Sequence, residues 1–223
     1  MSEAQLVVAH VVRLALLALL AGMLWRGRAR QCWAFAAYVL AVLLGNTLVS
    51  LWPARFYTPE FWVVKQGAYD ILKAAIALEL AWRAFRAFPG ALRTARLVLL
   101  ALLAASTLSL ALLNPRSSYA TVWEWQPGVA TAAIWLLATT ALMVVWYQVP
   151  VGGWQRAIML GLALYLLVFV TLLGLLGRWG WALGPVVATV ETLAYLALVT
   201  FWAWAAWRRE AAGVAAVPAV SPA

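Results

Sequence analysis

The sequence predicts an all-α integral membrane protein: a bundle of seven transmembrane helices with the N-terminus outside and the C-terminus in the cytoplasm. Composition gives the first indication, because 67% of the 223 residues are hydrophobic and only 10% are charged. A soluble domain is about 45–50% apolar and about 25% charged. The mean hydropathy of +0.93 points the same way. The third observation is that basic residues concentrate in alternate loops, as they do in membrane proteins.

The first two predicted helices span residues 4–25 and 31–51. No lysine or arginine precedes the first apolar segment, whereas Arg26, Arg28 and Arg30 follow it. A signal peptide has the opposite arrangement, with its positive region first. We therefore expect a retained helix that begins outside. The second segment carries no charge and supplies the roughly 20 residues that cross about 30 Å of hydrocarbon.

The third predicted helix, residues 61–85, is the least apolar, because it carries Lys65, Asp70, Lys73, Glu79 and Arg83. It has no internal proline, and a loop of about 40 residues in its place would be unusual. With seven helices, ten basic residues fall in cytoplasmic loops and three outside, as the positive-inside rule requires. We expect Lys65 to extend outward to the interface and Glu79 to pair with Arg83 one turn on.

The last four predicted helices come from long apolar stretches and complete a single domain, residues 1–210. They cover residues 94–113, 128–148, 155–176 and 182–207. The last of them contains one carboxylate, Glu191. The tail at 211–223 is rich in alanine, valine and proline, so we expect it to be a disordered cytoplasmic segment.

The net charge of +9 does not indicate a nucleic-acid partner here. All of it falls in the predicted cytoplasmic loops, where it faces an anionic leaflet. The expected partner is the lipid bilayer. The composition, with 14 arginines against 2 lysines in an alanine- and leucine-rich chain, suggests a bacterial inner membrane. Many of the 15 tryptophans lie near predicted helix ends, as in an aromatic belt.

Four charged residues lie deep in the predicted membrane: Arg13, Asp70, Lys73 and Glu191. Each is about nine to twelve residues from the outer end of its helix, so all four share a layer roughly 13–18 Å below the outer surface. Intramembrane charges normally face the bundle interior and are paired. Asp70 and Lys73 are three residues apart and suit a pair along one helix. Glu191 then pairs with Arg13 or, alternatively, with Lys73, and either choice predicts that the three helices meet.

Uncharged polar residues at a similar depth extend this layer into a predicted binding site. They are His10, Asn46, Tyr69 and Tyr195, which join the four charged residues as the expected ligand-binding set. The hypothesis is an outward-opening pocket for a small polar or charged ligand. A zwitterion or an anion suits it, with Arg13 and Lys73 holding the acid group. The protein would then be sensor-like or carrier-like.

The alternative hypothesis is an accessory or scaffolding subunit of a larger membrane complex, or a homo-oligomer. In that case the buried charges form a structural ionic lock and bind no ligand. A membrane-embedded enzyme that takes carboxylate or lysine chemistry from the same layer is the third and least favoured hypothesis. One histidine and one cysteine cannot build a His/Cys metal site, and no nucleophile elbow is present. We expect neither a metal nor a cofactor.

Overall fold

The computed structural model describes residues 3–85, 118–146, 148 and 151–208. Within these residues the chain is all-helical, with no strand. The seven α-helices are α1 (Glu3–Trp25), α2 (Trp33–Leu51), α3 (Pro53–Phe56), α4 (Pro59–Phe85), α5 (Ser118–Trp146), α6 (Gly153–Trp179) and α7 (Gly184–Trp207). Two short 3₁₀ turns, Arg28–Gln31 and Trp181–Leu183, precede α2 and α7. The predicted helix at 94–113 and the tail at 211–223 lie outside the described residues.

Five of the described helices are long and apolar enough to cross a membrane, as in a multi-pass membrane protein. They are Val7–Trp25, Trp33–Leu51, Gly128–Trp146, Gly153–Trp179 and Gly184–Trp207. The 27-residue α4 is long enough as well, but its charged residues keep it out of this group. The largest difference from the predicted bounds is at α5, which begins at Ser118 because the helix continues through Pro127 instead of starting after it.

The six long described helices form a closed ring. In order around it, α1 packs on α2, α2 on α4, α4 on α5, α5 on α6, α6 on α7, and α7 on α1. Apolar side chains fill the centre. Phe35 of α2 meets the edges of Trp154 and Trp202, with ring centroids 5.6 and 4.7 Å apart. These three rings join α2, α6 and α7 across the interior.

Two tryptophans of α7 fasten it to its neighbours through the same local arrangement. The indole of Trp202 donates to the carbonyl of Ala157 on α6 at 3.1 Å. That of Trp207 donates to Ala18 on α1 at 3.0 Å. In each case a glycine lies four residues after the acceptor, Gly161 or Gly22, and the indole occupies the space that a Cβ would take. The missing side chain lets the ring reach a backbone carbonyl, a close approach typical of membrane helices.

We predict that Gly161→Ala destabilises the fold, because a methyl group there would lie 2.6 Å from the indole nitrogen of Trp202. Overpacking of this kind costs about 1–3 kcal/mol. Gly174→Ala on the same helix is the matched control: its Cβ would meet nothing within 4 Å, and alanine is the better helix former by about 1 kcal/mol. Unfolding titrations in mixed micelles measure both variants. Equal effects on the two would contradict the prediction.

The bundle end at which α1 terminates, here called the far end, is held by Glu79. Its carboxylate accepts hydrogen bonds from the backbone N–H groups of Trp33 at 3.1 Å and Ala34 at 2.8 Å, and from the Cys32 thiol at 3.4 Å. The acid therefore caps the first turn of α2 from α4. Glu79 also binds Arg83 at 2.7 Å, which confirms the pair predicted along the helix.

Arg28 holds the same end of the bundle from the turn after α1. Although charged, it is buried. Its guanidinium donates to the carbonyls of Ala205 and of Arg208, the latter at 2.6 Å, and lies over the ring of Trp154 at 5.5 Å. Ala205 is in the last turn of α7 and Arg208 is the residue that follows the helix, so both carbonyls lie where the helix itself supplies no donor. Arg28 thus ties the first loop to the end of the last helix, a role beyond its predicted place in a basic loop.

The Cys32 thiol is predicted to be unreactive in the folded protein. Burial, helped by the nearby Glu79 carboxylate, raises the pKa of Cys32 to about 12. At neutral pH the thiol stays protonated, and the thiolate is the form that reacts. We expect maleimide labelling at neutral pH to be at least about 100-fold slower in mild detergent than after unfolding in SDS. Equal rates in the two states would show that this turn is open.

Candidate functional site

A cavity of about 390 Å³ lies at the end of the bundle where α1 begins, here called the cavity end. Helices α1, α2, α4, α6 and α7 each contribute to its wall. Its lining combines charged, polar and aromatic side chains: Arg13, Tyr38, Asn46, Lys65, Gln66, Tyr69, Lys73, Tyr165, Phe169, Glu191, Thr192 and Tyr195, with Ala9, Val12, Val42 and Val49. Its volume falls within the range of small-molecule pockets, about 300–1,000 Å³.

The structure brings most of the predicted site residues to this cavity. Those that line it are Arg13, Asn46, Tyr69, Lys73, Glu191 and Tyr195. Asp70 lies beside the cavity, bound to Lys73. His10 lies on an exposed face of α1 and is not part of the lining. That these residues bind a ligand stays a prediction.

The ion pair predicted along α4 is present and buried. The Lys73 Nζ lies 2.9 Å from the Asp70 Oδ1, and the two residues are only 5% and 6% exposed. Gln66 donates a long hydrogen bond of 3.5 Å to the same Asp70 oxygen. The Lys73 ammonium also lies over the ring of Phe169, 5.3 Å from its centroid. Both charges of the pair are therefore satisfied within the wall of the cavity.

The predicted pairing of Glu191 with another helix is wrong as a direct contact. Within the described part of the chain, Glu191 forms no ion pair with Arg13 or with Lys73. The order of the ring accounts for Lys73, because α4 packs on α2 and α5. Helix α1 does pack on α7, as predicted, but Arg13 and Glu191 form no direct ion pair there. Arg13, Lys73 and Glu191 all line the cavity, so the charges that the sequence suggested would meet face the same space without a direct contact between Glu191 and either cation.

Arg13 faces the cavity without a carboxylate partner among the described residues. Its Nη2 donates to the backbone carbonyl of Asn46 at 3.3 Å. Its Nε is buried and has no acceptor in the described structure. A guanidinium has five N–H donors and is always charged. Arg13 therefore lines the cavity with a guanidinium whose donors are not all used in the described structure.

Lys65 is a third cation at the cavity, although we expected it to extend outward to the interface. It is part of the lining, and its ammonium lies 6.0 Å from the ring centroid of Tyr69. Three cations, Arg13, Lys65 and Lys73, thus face two carboxylates, Asp70 and Glu191. Asp70 and Lys73 neutralise each other. Arg13 and Lys65 then remain against Glu191, which leaves the cavity with an excess of one positive charge.

Four tyrosines surround the cavity, two of which the sequence analysis missed. Tyr38 packs edge-on against Tyr69 with centroids 6.2 Å apart, and Tyr165 lies 5.6 Å from Tyr195. Tyr38 and Tyr165 were the missed pair. The signal for Tyr38 was its spacing, since it lies eight residues before Asn46 and so shares its face of α2. Nothing in the local sequence distinguished Tyr165 from the other apolar positions of α6.

Gly45 sets the position of Tyr69 and Lys65. The Tyr69 hydroxyl lies over Gly45 and donates weakly to the backbone carbonyls of Ala41 and Val42, at 3.4 and 3.5 Å. A Cβ at Gly45 would collide with this hydroxyl and with the Lys65 side chain. The absence of a side chain lets α4 approach α2 closely enough to place both residues in the cavity wall.

We predict that Gly45→Ala destabilises the protein by about 1–3 kcal/mol and displaces Tyr69 from the cavity wall, because the added methyl group overpacks the α2–α4 contact. Gly67→Ala on α4 is the control, since its Cβ would meet nothing within 4 Å. Unfolding titrations give the stabilities, and tyrosine absorbance reports the displacement. A Gly45→Ala protein as stable as Gly67→Ala would show that this contact is loose.

The described residues contain no cluster of three or more histidine, cysteine, aspartate or glutamate side chains able to hold a metal ion. The chain matches no protein-family model, no curated protein and no solved structure. The functional conclusion therefore depends on the chemistry of the cavity itself.

Proposed function

We propose that this protein binds a small polar or charged ligand in the cavity, as a sensor-like or carrier-like membrane protein. The observation that carries the proposal is Arg13, a half-buried cation that lines the cavity and whose buried Nε has no acceptor in the described structure. An unsatisfied buried donor costs about 1–3 kcal/mol. A ligand that supplies an acceptor would recover that cost on binding.

The charge pattern favours an anion or a zwitterion. Arg13 and Lys65 offer N–H donors to an acid group, while Glu191, which also lines the cavity, can accept from an ammonium group. The tyrosine rings supply apolar walls with hydroxyl groups at their edges, which suits a ligand with a short carbon skeleton. The buried Lys73–Asp70 pair holds the wall in place, so Lys73 acts mainly through Asp70 and less as a free cation.

The proposal includes seven spans with the cavity end outside. Among described residues, the far end carries Arg26, Arg28, Arg30, Arg83, Arg156 and Arg208, while the cavity end carries Arg55 and Arg178. The positive-inside rule then assigns the far end to the cytoplasm. Ala84 and Val144, near the ends of α4 and α5, pack together, so these helices run the same way. Since α4 and α5 run in the same direction, the chain must cross back between them, and the proposal assigns this crossing to the predicted helix at 94–113. A bacterial inner membrane is the proposed location.

A ligand panel on purified protein tests the proposal. We expect one class of small anions or zwitterions to raise the Tm of the wild type in mild detergent. Arg13→Gln should weaken that ligand by at least about tenfold, because a hydrogen bond to a charged group is worth about 1.5–3 kcal/mol. Arg178→Gln, an exposed arginine at the same end, is the control and should leave binding unchanged.

Two results would contradict ligand binding in the cavity. If no compound shifts the wild-type Tm, or if Arg13→Gln and Arg178→Gln bind alike, the cavity is not the ligand site. The second candidate, an accessory subunit with a structural lock, then gains support. The satisfied and buried Lys73–Asp70 pair favours it, and it requires a partner protein that co-purifies at fixed stoichiometry.

A further inference from the structure

A second concavity, of about 380 Å³, lies on the outer face of the bundle along the seam between α6 and α7. Its lining is almost entirely apolar. Leu164 and Val168 form one side, and Ala194, Ala197 and Phe201 form the other. We call it the α6–α7 groove. In a membrane this face meets lipid, so the groove is open to acyl chains.

Tyr165 belongs to the walls of both the α6–α7 groove and the polar cavity. Its ring packs against Tyr195 at 5.6 Å and Phe169 at 6.2 Å, both of which also line the cavity. On its other side it meets the apolar groove. The Tyr165 side chain therefore separates the polar, positively charged cavity from the lipid-facing α6–α7 groove.

The α6–α7 groove exists because small residues interrupt a helix surface that otherwise carries large side chains. Ala194 and Ala197 are three residues apart on α7, on one face of the helix. Nearby lipid-facing positions carry Leu193, Phe201 and Trp204, all exposed. A strip of small residues flanked by large ones leaves the α6–α7 groove on this face of the bundle.

The length of this path points to a lipid chain. From Glu191 at the cavity to Phe201 at the end of the groove is about 15 Å along α7. That is about half of the roughly 30 Å hydrocarbon thickness, the depth of one leaflet. The cavity end supplies excess positive charge and the groove supplies apolar surface. A molecule with an acidic head and one long chain matches both at once.

We propose that the ligand is a single-chain amphiphile with an anionic or zwitterionic head, its head group in the cavity and its chain in the α6–α7 groove. Tyr165 is the wall that the two compartments share, so the head group reaches the cavity past this side chain and the ligand enters sideways from the bilayer. This inference depends on the proposed function, since the head group occupies the cavity described there. It adds the class of ligand and the route by which it arrives.

Native mass spectrometry in mild detergent tests the amphiphile with defined probes. Oleate and lysophosphatidylglycerol carry a head and a chain, whereas acetate and glycerol 3-phosphate carry a head alone. Ala197→Phe fills the groove from a lipid-facing position. Ala188→Phe changes an exposed alanine of the same helix that lines neither concavity, which makes it the matched control. Thermal unfolding verifies that each variant is folded.

We expect one long-chain probe per protein, at least about tenfold tighter than its head-only counterpart. Ala197→Phe should weaken the long-chain probe at least about tenfold and leave head-only binding unchanged. Ala188→Phe should change neither. Arg13→Gln should weaken both kinds of probe.

The outcomes separate this inference from the proposed function. If the head-only and long-chain probes bind alike through Arg13, and Ala197→Phe has no effect, the amphiphile is wrong and the cavity site stands. If Ala197→Phe changes the oligomeric state while lipid binding persists, the groove receives a helix and the inference is overturned. If no probe depends on Arg13, the proposed function fails as well.

Discussion

The buried Lys73–Asp70 ion pair is the contact that makes α4 compatible with the interior of the bundle. A charge in the hydrocarbon region is costly unless it is paired, and removing one member of a buried pair typically costs about 3–5 kcal/mol. The two opposite charges of the pair cancel in the middle of α4. Among the long described helices, α4 is the one that is too polar to be counted with the five apolar spans. Because α4 can then take its place in the ring between α2 and α5, it brings Lys65 and Tyr69 to the cavity and Glu79 to the first turn of α2.

Close approaches of helices then shape the rest of the bundle. Where a glycine replaces a side chain, an indole or a phenol from the next helix reaches the backbone, as Trp202 does over Gly161 and Tyr69 does over Gly45. In lipid, apolar burial gives little drive for helix association, so packing and hydrogen bonds of this kind carry much of the specificity. They also fix rotations, and the rotation of each helix decides which residues face the cavity.

The two concavities differ in what surrounds them. The polar cavity lies inside the ring and gathers charges from three helices, while the α6–α7 groove lies outside and is apolar. Tyr165 lies between them because it is on the side of α6 that borders both. A ligand with a polar and an apolar part is the kind of molecule that such a pair of compartments would hold.

The sequence by itself determined the helical class, the apolar segments long enough to cross a membrane, and the layer of Arg13, Lys73 and Glu191. Helix length, hydropathy and depth along a helix are local properties, and a pair at i,i+3 such as Asp70 and Lys73 depends on one helix alone. Only the tertiary structure decided the order of the helices around the ring and the position of Tyr165. It also decided that Glu191 and Arg13 form no ion pair in the described structure. These features depend on helix rotation and on the choice of neighbours, which are set by contacts between residues distant in the chain, such as Trp202 with Ala157.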